Sequence, residues 1–331
     1  MMQLVPPKSR RAPRILVKDA RACYHVVSRV VDRSFRFTDV DKEVFRDLLK
    51  RVGTFCGVRV LTYAVLDNHF HLLVEVPASP GEPDDEELRR RARLLYGEER
   101  KGQPLSFFRI DRALVAGGDS RERMRALLIG RMGSLPMFVK ILKQRYSIMH
   151  NRKYDRLGTL WEDRFHSVLV EDSAAALTAV AAYIDLNAVR AGIVKDPKDY
   201  RFSGYGEAAG TRQGFSRFAL FVRIAAEHAE SIEEIAALYR RRLYISGSDP
   251  GKGATVSKEG LERTLRQDGT LTRGESLHCR LRYMTRGAII GSKAFIEAWT
   301  IKNKGRYFPK RPKRPKPLFR EPEESSLCRL R

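Results

Sequence analysis

The stretch VRVLTYAVLDNHFHLLVEVP, Val58 to Pro77, holds two apolar, β-branched runs on either side of Asp67-Asn68. Asp and Asn are common turn formers and Pro77 closes the second run, so the stretch reads as two antiparallel strands joined by a tight turn. Side chains alternate faces along a strand, so His69 and His71 point one way and Phe70 the other. Phe70 then belongs to a core, while two imidazoles share one face. Histidines at i and i+2 make half of a metal site. The alternative is a hydrogen-bonded or surface pair, and the spacing alone does not choose between them.

Outward from this hairpin, CYHVVSRV (Cys23–Val30) alternates like a strand. DVDKEVFRDLLKRVGTFCG has helical periodicity, with Asp39 or Asp41 expected as its N-cap. Strand, helix, strand, strand is the first half of a ferredoxin-like sandwich. SLPMFVKILKQRYSIMHNRKY predicts the second helix and FHSVLVED the last strand. DSAAALTAVAAYIDLNAVRAG follows as a helix capped by Asp172 or Ser173 and ended near Gly192.

The expected fold class is therefore α+β: a ferredoxin-like sandwich, an antiparallel sheet with helices on one face, followed by a smaller, mostly helical C-terminal module. The expected boundaries are a basic lead-in at 1–20, the main domain at 21–210, the helical module at 211–303 and a flexible basic tail at 304–331. A charge-rich insertion with exposed helices interrupts the main domain at about 78–133. RGAIIGSKAFIEAW (Arg286–Trp299) reads either as a turn leading into a DNA-reading helix or as a plain helical hairpin.

Composition narrows the function. The 63 Lys+Arg against 40 Asp+Glu give a formal charge of +23 over 331 residues, which points to a polyanionic partner, nucleic acid before membrane. No apolar run is long enough to span a bilayer, and the basic start lacks the apolar centre of a signal peptide. Cys23, Cys56, Cys279 and Cys328 show no CxxC spacing, which fits a reducing, cytoplasmic location.

Tyr183 and Asn187 are four residues apart on the Ala-rich helix and share one face. Alone they read as a core tyrosine with a hydrogen-bonded amide. Beside His69 and His71, Asn187 offers a third ligand and Tyr183 a hydroxyl next to a Lewis acid, the parts needed to attack a phosphodiester. Tyr146 and Tyr154 flank SIMHNRK; Tyr146 lies on a helix without an amide four residues later and reads as a core or DNA-stacking residue, and His150 and His166 lack a partner at ligand spacing. Arg152, Lys153 and Arg156, with Trp161 and Arg164, interleave charge and aromatics as a single-strand platform would; the alternative is a solvated basic loop. Arg190 either contacts a phosphate or complements the helix C-terminus.

In order, the motifs YHVVSR, AVLDNHFHLLVEVP, GTLWEDRFHSVLVED and YIDLNAVRAGIVKDPKDYRFSGY resemble the REP-associated tyrosine transposases, a branch of the single-tyrosine HUH (IS200-like) transposases. The resemblance spans Ala20 to Tyr205. It implies His69, His71 and Asn187 as ligands of a divalent cation, Mg²⁺ or Mn²⁺, and Tyr183 as nucleophile. It further implies hairpin-bearing single-stranded DNA as the substrate that is cleaved and rejoined. Asn187 is followed by Ala188 where the family usually carries proline. A homodimer with the tyrosine helix acting on the partner's site is left open. So is a domesticated binder of the same fold without turnover. An RNA-binding role would want exposed aromatics on the central strands, and HFHLLVEVP lacks them.

Overall fold

The computed structural model describes residues 14–34, 36–97, 105–210, 231–248, 288–303, 315–317 and 327–330, with the single positions 214, 218, 220, 255 and 262. The first strand, β1 (Ala22–Arg29), leads to helix α1 (Asp39–Cys56) and then to the hairpin β2 (Arg59–Val65) and β3 (His69–Val76). The turn falls at Leu66–Asn68, closed by the amide of Leu66 donating to the carbonyl of His69 at 2.8 Å. After an insertion come α5 (Leu135–Lys153) and β4 (His166–Val170). In space the strands run β2-β3-β1-β4, all antiparallel, which is the ferredoxin-like order. The α+β class expected from the sequence is the class observed.

Residue alternation explains the layers. Tyr24, Val26, Phe70, Leu72 and Val74 face α1 and α5, where Phe45, Leu49, Phe138, Leu142 and Tyr146 complete one buried core. The other face carries Cys23, Leu61 and Leu73 against helix α6 (Ala174–Asp185), in a second core with Leu177, Val180 and Ile184. Helices therefore cover both faces rather than one. The reason is visible in α6: it is almost wholly alanine and aliphatic, and a helix apolar on every side is stable only when enclosed.

The caps differ in detail from expectation. Thr38, not an aspartate, caps α1; its Oγ1 accepts from the Asp41 amide and the Asp41 carboxylate accepts from the Thr38 amide, a closed capping box. Ser173 caps α6. The single helix expected to Gly192 is broken at Leu186 into α6 and a turn, α7 (Asn187–Arg190).

The insertion forms α2 (Asp85–Leu95), α3 (Phe107–Ala116) and α4 (Gly118–Ile129). Leu88, Ala92, Leu95, Ile110, Leu114 and Leu128 join the first core, so these helices are half-buried rather than exposed. Short helix α8 (Gly204–Ala209) follows the main domain, and α9 (Ile232–Ser248) docks on α6 through Tyr239, Leu243 and Tyr244. Strand β5 (Ile289–Ser292) pairs parallel with β4 and runs directly into α10 (Lys293–Lys302), so the described part of 286–299 is a strand leading into a helix rather than a helical hairpin. Strands β6 (Lys316–Pro317) and β7 (Leu327–Leu330) extend the sheet beyond β5. The described parts of 211–331 thus build onto the main sheet and both of its cores; Leu327–Leu330 is strand, not flexible tail. Residues 1–13, much of the expected helical module and most of the basic tail lie outside the described residues.

Candidate active site

β3 carries His69 and His71 onto the α6 face, while Phe70 packs against Phe45 and Trp161 on the other. The rings of His69 and His71 lie 5.0 Å apart, centroid to centroid, at 76°. Each has its Nδ1 engaged: that of His69 by Asn68 Oδ1 at 2.6 Å, that of His71 by His25 Nε2 at 3.0 Å. The Nε2 atoms are the second nitrogens of both rings. Burial holds the His69 imidazole down to about 4, helped by the Arg29 guanidinium, and drives His71 well below the usual histidine range. Both rings are thus neutral at pH 7, the form in which imidazole ligates a metal.

Tyr183 enters from α6, the helix layer over this face of the sheet. Its ring stands edge-on to His71 and to His25, each 5.7 Å away. One turn later, Asn187 Nδ2 donates to the carbonyls of Tyr183 at 2.8 Å and Ile184 at 3.2 Å. Those bonds take carbonyls from the end of α6, which accounts for the break at Leu186, and they commit both amide protons. Oδ1 is the remaining polar atom of the Asn187 side chain. Neutral imidazoles with engaged Nδ1 atoms, and an amide oxygen whose own donors are already used, are each the kind of donor that suits a divalent cation.

The expected nucleic-acid residues divide. Arg152 and Arg164 are exposed, and Arg190 is half-buried on α7. Arg156 Nη1 donates to Asn151 at 3.4 Å. Lys153 is tied to Asp41 at the start of α1 by a 2.8 Å ion pair. Trp161 is a core residue: 7% exposed, packed on Phe70 and donating its indole N–H to Ser147 Oγ at 2.8 Å. It is no stacking platform. Tyr146 is also core, with its hydroxyl on the Asp41 carbonyl, and Tyr154 donates to the Asp41 carboxylate at 2.7 Å.

Four features go beyond what the sequence motifs mark. His25, fully buried on β1, lies beside His71, and the alternation of CYHVVSRV is the signal that places it on that face. Arg29 is the direct cross-strand partner of His69. Asp185 is buried under Thr62, Tyr205 and Tyr239, and burial pushes its carboxyl up to about 7. Further along the same sheet face, Cys23, Glu75 and Asp172 bring potential ligand atoms within 4.8 Å of one another. These last three residues are distant in sequence, so no spacing motif marks them.

The antiparallel β2-β3-β1-β4 sheet thus carries a His-x-His pair beneath a tyrosine-bearing helix. Residues 19–81, which cover β1 to β3 and both histidines of the pair, match the family described as "Transposase IS200 like". No curated protein matches. A solved structure described as "Structure of the REP associates tyrosine transposase bound to a REP hairpin" is similar at 14% identity. That likeness covers 60% of this chain and 85% of the other with a TM-score of 0.38, too loose to assign fold or function. No helix among the described residues is long and apolar enough to cross a membrane.

Proposed function

We propose that the chain cleaves and rejoins hairpin-bearing single-stranded DNA through a covalent bond to Tyr183. The observation that carries this reading is the convergence of Tyr183 and His71, with His69 beside them, from the helix layer and the sheet that it covers. The IS200-like match over the histidine strands supports it.

His69 and His71, with Asn187 Oδ1, would hold Mg²⁺ or Mn²⁺, which when bound neutralises the non-bridging oxygens of the scissile phosphate. Arg29, exposed across from His69, adds a fixed positive charge at the mouth of the site. Tyr183 Oη bonds to phosphorus as the bond from phosphorus to the 3′ oxygen breaks. The phenol proton is lost to solvent and the 3′ oxygen takes one up, leaving a 5′-phosphotyrosine and a 3′-hydroxyl. Attack by another 3′-hydroxyl reverses the step and joins strands. The net charge of +23 supplies sequence-independent affinity for the strand.

A binder without turnover is the second reading. It is favoured by one observation: Tyr183 is only 4% exposed, so a scissile phosphate must enter from the half-exposed His69 side. Incubation with hairpin-bearing single strands and Mn²⁺ separates the two. A covalent adduct supports the enzyme; tight binding with no adduct supports the binder.

A further inference from the structure

We propose that His25 is a positioning residue that fixes the tautomer of His71 and so presents its Nε2 to the metal; this rests on the reading of His69 and His71 as ligands. His25 lies on β1, the strand beside β3, and its ring is fully buried. A wholly buried imidazole is costly unless its nitrogens are hydrogen-bonded. His71 supplies a partner: His25 Nε2 lies 3.0 Å from His71 Nδ1, with the rings stacked at 5.3 Å and 20°.

Two neutral imidazoles that meet nitrogen to nitrogen share one proton, and its direction has a consequence. If His25 donates, the only proton of His71 sits on its Nε2 and occupies the lone pair that a cation needs. If His71 donates from Nδ1, its Nε2 lone pair points outward and is available. Only the second arrangement is compatible with ligation. His71 is 2% exposed, so water is poorly placed to supply an alternative partner. Both rings also abut the edge of Tyr183, so holding their planes fixes the surface against which the tyrosine rests. His69 receives the equivalent support from Asn68 Oδ1, a pure acceptor, which fixes the same tautomer. At His71 Nδ1 the partner is an imidazole instead of an amide oxygen, and His25 takes that role.

The test is ¹⁵N–¹H NMR of the histidine rings in the metal-free full chain, with Mn²⁺ affinity measured separately by calorimetry. The expected wild-type result is His71 protonated on Nδ1. In His25→Leu that preference should be lost and the Mn²⁺ dissociation constant should rise about 10- to 100-fold, the usual cost of removing such a partner. In His25→Gln the amide oxygen can still accept from His71 Nδ1, so tautomer and affinity should stay within about threefold of wild type. A plain packing role would not distinguish these two variants. The proposal is overturned if His71 carries its proton on Nε2 in the wild type, or if His25→Leu leaves tautomer and affinity unchanged. A wild type that shows the expected tautomer yet binds no Mn²⁺ would instead sink the metal reading and leave the orienting bond standing.

Discussion

The ring of Tyr183 stands edge-on to that of His71, 5.7 Å between centroids at 82°, although one belongs to the sheet and the other to a helix packed over it. The two residues are 112 positions apart in the chain. A phenol held against an imidazole whose Nδ1 is already committed is a pair whose rings are fixed by burial and by that bond.

His69 and His71 differ in burial, so their alanine variants should differ in kind. His69→Ala trims a half-exposed ring and should lose Mn²⁺ binding with the unfolding midpoint nearly unchanged. His71→Ala also strands the Nε2 of buried His25, at a cost of about 1–3 kcal/mol. Urea unfolding of both variants beside Mn²⁺ titration checks this. Equal destabilisation would show that His69 is as structural as its neighbour.

Asp185 predicts a pH signature. Its carboxyl is raised to about 7 in the folded chain by burial, above the ordinary unfolded value near 3.9. Between those values the folded state holds the proton more tightly than the unfolded state, so this group's contribution to stability falls as pH rises from 4 to 7 and is level above. Asp185→Asn cannot ionise, and its amide can still bond Thr62, Tyr205 and Tyr239. The variant should match wild type near pH 4 and gain on it steadily towards pH 7, as read from melting temperatures. A constant difference across that range would show that Asp185 keeps its charge when buried.

How much of the fold and site is legible in the sequence depends on where the information lies. The hairpin is readable because alternation and the Asp67-Asn68 turn are local, and the face shared by His69 and His71 follows from period two alone. Tyr183 and Asn187 share a face by helical spacing. That spacing does not reveal that Asn187 spends both amide protons on the carbonyls of Tyr183 and Ile184 and so ends α6. His25 lies on the matching face of β1, but its partner is set by strand register, which a single strand does not encode. Trp161 is hidden for the same reason: next to Arg164 it resembles a stacking platform, whereas tertiary packing turns its ring into the core with Phe70. The C-terminal strands β5 to β7 are short and reach the sheet only through β4, so no local pattern announces them.

Trp161 and the neighbouring cations can be told apart by measurement. Trp161→Ala should cost about 3–5 kcal/mol of stability as a large core truncation. Arg152→Gln and Arg164→Gln should leave stability alone and flatten the salt dependence of single-strand binding by about 0.7 for each phosphate no longer neutralised. Lys153→Gln breaks the Asp41 pair and should not change the salt slope. If Trp161→Ala weakened DNA binding while stability held, the ring would be a binding surface after all.

The most direct measurement is mass spectrometry of the protein after incubation with a hairpin-bearing single strand and Mn²⁺. The expected result is a nucleotide adduct on the peptide containing Tyr183, absent with a chelator and absent in Tyr183→Phe, which should still bind the strand. An adduct on Tyr146 or Tyr154, or one that persists in Tyr183→Phe, would contradict the assignment of Tyr183 as the nucleophile.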